Sequence, residues 1–132
     1  MLEHPLVSVT VCVRDGGHWV DDCLDSLLQQ THRPLEIIAV NDGSSDDTKS
    51  KLEAWHEKYA GGEVPIHIIH QDSLGLSAGR MAAVKQSTGK WIAITDIDVR
   101  PEPDWIEQML IACKPIEDES IAAVTGRTVF QA

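Results

Sequence analysis

A chain of 132 residues with 42% apolar content is long enough for one domain with a real core. Twenty-one acidic against eleven basic residues leave a net charge of −10 with histidines neutral. That balance argues against a nucleic-acid surface, favours solubility, and suits a site where a cation brings in a phosphate.

The first element in chain order is Leu6 to Val13, a run of β-branched residues that reads as a strand buried on at least one face. Gly16-Gly17 ends it. Trp19, Val20, Cys23, Leu24, Leu27 and Leu28 then recur at helical spacing with aspartates between them, and Pro34 stops the pattern. Leu35 to Val40 is a second strand that gives way to Asn41-Asp42-Gly43-Ser44. Leu52, Trp55 and Tyr59 mark a short helix closed by Gly61-Gly62, and Ile66 to His70 is a third strand. Ser77 is placed to cap a small-residue helix through Val84. Lys90 to Thr95 is the fourth strand, Pro103 opens a helix through Trp105, Ile106, Met109 and Cys113, and Ile121 to Val124 is a further strand.

Strict alternation of strand and helix predicts an α/β fold, a mostly parallel sheet with helices on both faces, spanning residues 1–132 as a single domain. No stretch approaches the ~18 apolar residues of a membrane span, and the N-terminus lacks a signal-peptide pattern. Cys12, Cys23 and Cys113 are odd in number and lack metal-ligand spacing, which points to reduced thiols. The chain therefore reads as cytoplasmic, with membrane association left open for a longer protein.

Ligands of such sheets bind beyond the carboxyl ends of the strands. Three polar clusters fall there: Arg14-Asp15, Asn41-Asp42-Gly43-Ser44, and Asp96-Ile97-Asp98. Two carboxylates at the end of an apolar run need a partner, water or a cation. Asp-x-Asp alone is a weak motif: it serves as a loop and helix cap as readily as it holds Mg²⁺ or Mn²⁺. Asn41 to Thr48 is equally readable as a turn with a cap, with Asp42 better placed for a ligand than the exposed Asp46 and Asp47. An arginine in a first helical turn is unfavourable for the dipole, so Arg80 reads as reaching toward an anion or a planar ring. His67 and His70 fall on opposite faces of one strand, His56 reads as solvent-facing, and Glu117-Asp118-Glu119 reads as a solvated loop.

Taken together, V-S-V-T-V-C-V, C-L-D-S-L-L-Q-Q-T, L-E-I-I-A-V-N-D-G-S-S-D-D-T, G-L-S-A-G-R, G-K-W-I-A-I-T-D-I-D and P-D-W-I-E resemble the family 2 glycosyltransferases, inverting enzymes with a GT-A fold. The resemblance runs from about Val7 to Val129. It implies a Rossmann-like nucleotide-binding half, a UDP- or GDP-linked sugar as donor, and Mn²⁺ or Mg²⁺ as cofactor. By position it implies that Cys12, Val13, Arg14, Asp42 and Arg80 line the pocket for the base, with Asp42 accepting from a ring N–H. Asp96 then lies near the ribose, and Asp98 holds the metal that bridges the diphosphate.

Departures from the family pattern fall at Arg14-Asp15, where an aromatic and Asn are common, at Asn41, the first of the usual paired acids, and at Met81, where Asn is common. They bear on the identity of the base more than on the fold. The strand–Asp-x-Asp junction is also similar to the opening of haloacid-dehalogenase phosphatases, but only about 34 residues follow it here. The family carries its general base and acceptor half further on, so the resemblance implies no catalytic base within this chain. It implies that residues 1–132 are the N-terminal part of a longer transferase, with an unknown hydroxyl acceptor. Transfer by this chain alone is not expected. An apolar face near Val124, Val129 and Phe130 is expected to favour association with itself or a partner. A non-catalytic nucleotide-binding module of the same fold is the alternative.

Overall fold

A computed structural model of the chain describes residues 4–113. The element order is β1 (Val7–Val13), α1 (Gly17–Leu28), β2 (Leu35–Asp42), α2 (Thr48–Lys58), β3 (Ile66–Gln71), α3 (Leu76–Gln86), β4 (Trp91–Asp96) and α4 (Trp105–Cys113). The strands form one four-stranded sheet in the order β3-β2-β1-β4. Every pairing is parallel, with Val7 opposite both Leu35 and Trp91. The strand expected at Ile121–Val124, the acidic run at 117–119 and the apolar face near 124–130 lie outside the described residues.

The period of two along a strand sorts the core into halves. Val7, Val9, Val11 and Val13, with Leu35, Ile37 and Ala39, bury one face against Val20, Leu24 and Leu27 of α1, Leu52 of α2 and Ile106 of α4. The opposite face packs Ile38 and Val40 under Ala83 of α3, with Cys12 at its edge. Each fully buried Val, Leu or Ile contributes ~1.5–3 kcal/mol relative to exposure. These alternating sets account for helices on both sides. A side chain on Gly79 would collide with the Cys12 thiol, so glycine there lets α3 lie directly on β1. Over β4 that cover runs out among the described residues: Ile92 and Ile94 are 38% and 51% exposed.

Three local expectations change. β2 continues through Asp42 instead of ending at Val40, and β3 runs one residue further than His70, to Gln71. Ser77 does not cap α3. The N-cap is Gly75, whose φ of 98° suits glycine, and the helix starts at Leu76. Arg80 consequently sits in the second turn of α3, where the dipole penalty has lost most of its force.

At the other end of the sheet, Glu36 is buried and its Oε1 accepts from the Ser8 hydroxyl at 2.6 Å, Thr88 N–H at 2.8 Å and the Thr88 hydroxyl at 2.9 Å. His67 Nε2 lies 3.6 Å from Oε2. Burial alone would raise the Glu36 pKa, but the Ser8 and Thr88 donors and His67 outweigh it and hold the carboxyl below its ordinary value. Removing this acceptor leaves the buried Ser8 hydroxyl unmatched and frees the exposed Thr88, so Glu36→Ala should cost roughly 1–2 kcal/mol in urea unfolding at neutral pH. Because the folded pKa is depressed, this stability is complete above the unfolded pKa and fades as pH falls through the folded one. The gap between wild type and variant should therefore narrow in acid.

Candidate functional site

The chain lays β2 and β3 on one side of β1 and then crosses over α3 to lay β4 on the other. The connections diverge at the carboxyl ends of β1 and β4, which makes the crevice there the topological switch point. Cys12 and Asp96 are opposite one another in register at that place. The Cys12 thiol is half-buried, and its pKa is raised first by burial and then by Asp42 and Asp96, with Arg80 opposing them. Those charges thus converge on one thiol. Arg80 Nη2 lies 3.3 Å from Asp96 Oδ1, so the anion it reaches in this structure belongs to the protein.

Asp42 closes β2 and is buried. Its Oδ1 accepts from Gln71 Nε2 at 2.9 Å and Leu74 N–H at 2.8 Å, and its Oδ2 accepts from Gly75 N–H at 3.0 Å. Gln71 first, then the two amides, and the nearby Arg14 guanidinium lower its pKa against a smaller opposing effect of burial. A carboxylate has about four acceptor positions, so Asp42 retains room for one more donor. Meanwhile it holds the 72–75 segment against the strand end. Gly43 follows with φ 67° and its Cα against Ser73, where a side chain would strike backbone.

Arg14 is exposed beside this carboxylate. Val13 is 2% exposed and its side chain belongs to the core under α1, so what Val13 can offer a ligand is main chain. Asp98 is exposed on the turn after β4. Among the described residues no hydrogen bond or ion pair engages it. The Cys23 thiol of α1 donates to the Asp96 carbonyl oxygen at 3.9 Å, and burial first, then Asp98 and Asp96, push it up to about 12. Among the described residues, no group of three or more His, Cys, Asp or Glu side chains is arranged to hold a metal ion.

Gln71 neighbours the site without carrying a motif and is found only through the register that sets it opposite Asp42. Asn41, part of the polar cluster at the end of β2, has its Nδ2 3.1 Å from His70 Nδ1, while its Oδ1 accepts from Ser44 N–H at 3.2 Å. His70 Nε2 faces Glu53 at 3.2 Å, on the face opposite His67, as alternation along β3 requires. His56 is exposed, yet its Nδ1 lies 2.6 Å from the Ile66 carbonyl oxygen.

The model of the family described as Glycosyl transferase family 2 matches residues 8–130. The chain belongs to this family. It is 39% identical over 109 residues to EpsH of Bacillus subtilis (strain 168), named as a glycosyltransferase, covering 83% of this chain and 30% of EpsH. To chondroitin synthase of Pasteurella multocida (strain Pm70) it is 33% identical over 127 residues, 95% of this chain and 12% of that protein. The chain thus spans about a third or less of the length of these relatives. Among solved structures, a mannosyltransferase from Pyrobaculum calidifontis in complex with GDP-Man and Mn²⁺ superposes with a TM-score of 0.75 at 23% identity, covering 90% of this chain and 34% of that one. S. aureus TarS 1-349 in complex with UDP-GlcNAc gives 0.70 at 23% identity, covering 95% and 37%. These likenesses establish the GT-A fold.

Proposed function

We propose that this chain is the donor-binding portion of an inverting glycosyltransferase that moves a sugar from a UDP- or GDP-linked donor to a hydroxyl acceptor in the cytoplasm. The observation that carries this reading is the Arg80–Asp96 ion pair, opposite Cys12 in register, beside the anchored Asp42 at the switch point of the sheet. In this reading Cys12, Arg14, Arg80 and the main chain at Val13 border the base. The remaining acceptor position of Asp42 takes a ring N–H, and Asp96 turns from Arg80 toward the ribose. The structural relatives crystallised with GDP-Man and with UDP-GlcNAc are consistent with either base.

Asp98, unengaged among the described residues, is the side chain we assign to Mn²⁺ or Mg²⁺. A single carboxylate fits ions of this type, which take one or two carboxylates and complete their shell with water and substrate phosphate. When bound, such a cation stabilises the negative charge of the departing nucleotide diphosphate. The chain's own part is to orient the nucleoside and to keep the reacting end of the donor at the mouth of the sheet. Deprotonation of the acceptor requires a base within hydrogen-bond reach, which we assign to residues beyond Ala132 in a longer protein.

Calorimetry with UDP and GDP, each with Mn²⁺ and with EDTA, tests the reading. Binding of one nucleotide that weakens at least tenfold in EDTA is expected. Equal heats in both buffers would remove the metal from the site, and no heat with either nucleotide would end the donor-binding reading itself.

A further inference from the structure

The loops that leave β1 and β2 hold each other through side-chain bonds. Helix α1 has no side-chain cap of its own. Its first amides are met instead from the neighbouring loop: Gly16 N–H donates to the Thr48 hydroxyl at 3.2 Å and Gly17 N–H to Asp46 Oδ2 at 3.0 Å. One residue earlier, Asp15 N–H donates to the Ser44 hydroxyl at 2.9 Å. The favour is returned by Asp15, whose Oδ1 accepts from Ser45 N–H at 2.7 Å, the Ser45 hydroxyl at 3.2 Å and Asp46 N–H at 3.3 Å. Lys51 Nζ adds a bond to the Gly17 carbonyl at 3.0 Å. Asp15 adopts φ 51°, the left-handed region that Asp and Asn tolerate better than other side-chain-bearing residues.

This clasp sits immediately beyond the strand ends that carry Arg14 and Asp42. Val13 pairs with Asn41, so Arg14 and Asp42 leave the sheet side by side, and Asp15 and Asp46 tie together the loops that follow them. We propose that Asp15 and Asp46 are positioning residues of the donor site: their reciprocal bonds fix the loops that leave β1 and β2, and with them the placement of Arg14 and Asp42 toward the base. The inference rests on the donor-binding reading above and adds to it the groups that keep Arg14 and Asp42 in one arrangement. A ligand recognised by several groups at once loses affinity steeply when one wall shifts.

Three variants of the 132-residue chain test it by calorimetry with UDP and GDP in Mn²⁺, at a temperature well below each melting midpoint. Asp15→Gly keeps the positive φ and removes the acceptor. Asp15→Asn keeps both an acceptor oxygen and a tolerated φ. Asp46→Asn keeps the shape and turns an NH₂ toward one of its present donors. Expected are about tenfold weaker binding for Asp15→Gly, weakening of about threefold for Asp46→Asn, and affinity within about twofold of wild type for Asp15→Asn. Wild-type affinity in both Asp15→Gly and Asp46→Asn overturns the positioning role, and so does an equal loss in Asp15→Gly and Asp15→Asn. Should Asp15→Gly fail to fold, Asp46→Asn decides alone. A wild-type chain that binds neither nucleotide fails the donor reading, and this inference falls with it.

Discussion

Replacing Asp98 with alanine should weaken UDP or GDP binding in Mn²⁺ by about a hundredfold and leave uridine or guanosine binding within about twofold. The split follows from where the side chain stands. Asp98 is exposed on the turn beyond β4 and has no hydrogen-bond or ion-pair partner among the described residues. Its loss therefore leaves no buried donor unsatisfied, and the melting temperature should barely move. What it removes is negative charge at a place where the protein, at −10 overall, otherwise repels a diphosphate unless a cation intervenes. The nucleoside carries no such charge and should still meet Asp42 and the end of β1. In EDTA, wild type and variant should converge on the same weak diphosphate affinity. Equal losses for nucleoside and diphosphate would instead mean that the turn itself has collapsed, and Asp98 would then be a structural residue.

Much of this arrangement can be read along the chain because strand residues alternate and helical residues recur. The valines of β1 and the leucines of α1 disclose their faces without reference to anything distant. Ends of elements depend on contacts that the local pattern does not contain. Ser77 looked like a cap because Ser commonly is one, but Asp42, thirty-odd positions earlier in the chain, takes the amides of Leu74 and Gly75 and so fixes the helix start at Leu76. The motifs located Asp42, Arg80, Asp96 and Asp98 at strand and helix ends. They did not reveal that Arg80 pairs with Asp96 while Asp98 stands apart, since two residues separated by one position on a strand–turn junction diverge once the turn begins. Gln71 acts through a pairing of strand ends, and Asp15 and Asp46 through a pairing of loops, all distant in sequence, for which only the strand register offers a clue.

The last expectation is that Asp42→Asn should be nearly as damaging to nucleotide binding as Asp42→Ala, each losing roughly ten- to a hundredfold for nucleoside and diphosphate alike. The isosteric change fails because all three present partners are donors: Gln71 Nε2 and Leu74 N–H on Oδ1, and Gly75 N–H on Oδ2. An asparagine offers one oxygen and one NH₂. Whichever way the amide is turned, an NH₂ confronts an N–H, and the 72–75 segment loses at least one anchor. The acceptor that we assign to the base is then misplaced even where it survives. Amide hydrogen exchange at Leu74 and Gly75 should accelerate in the variant, while amides in the centre of β1 and β2 should hold their protection. Acid should reproduce the effect in wild type. The folded Asp42 pKa lies below its ordinary value because those donors favour the carboxylate. The anchor is therefore intact above the unfolded pKa and fails as pH falls through the folded one. Leu74 and Gly75 protection and nucleotide affinity should decline together across that acid window, with the ionisation of the phosphate controlled by comparing free nucleosides. Nucleoside affinity that stays level while the two amides lose protection would show that the base does not depend on Asp42.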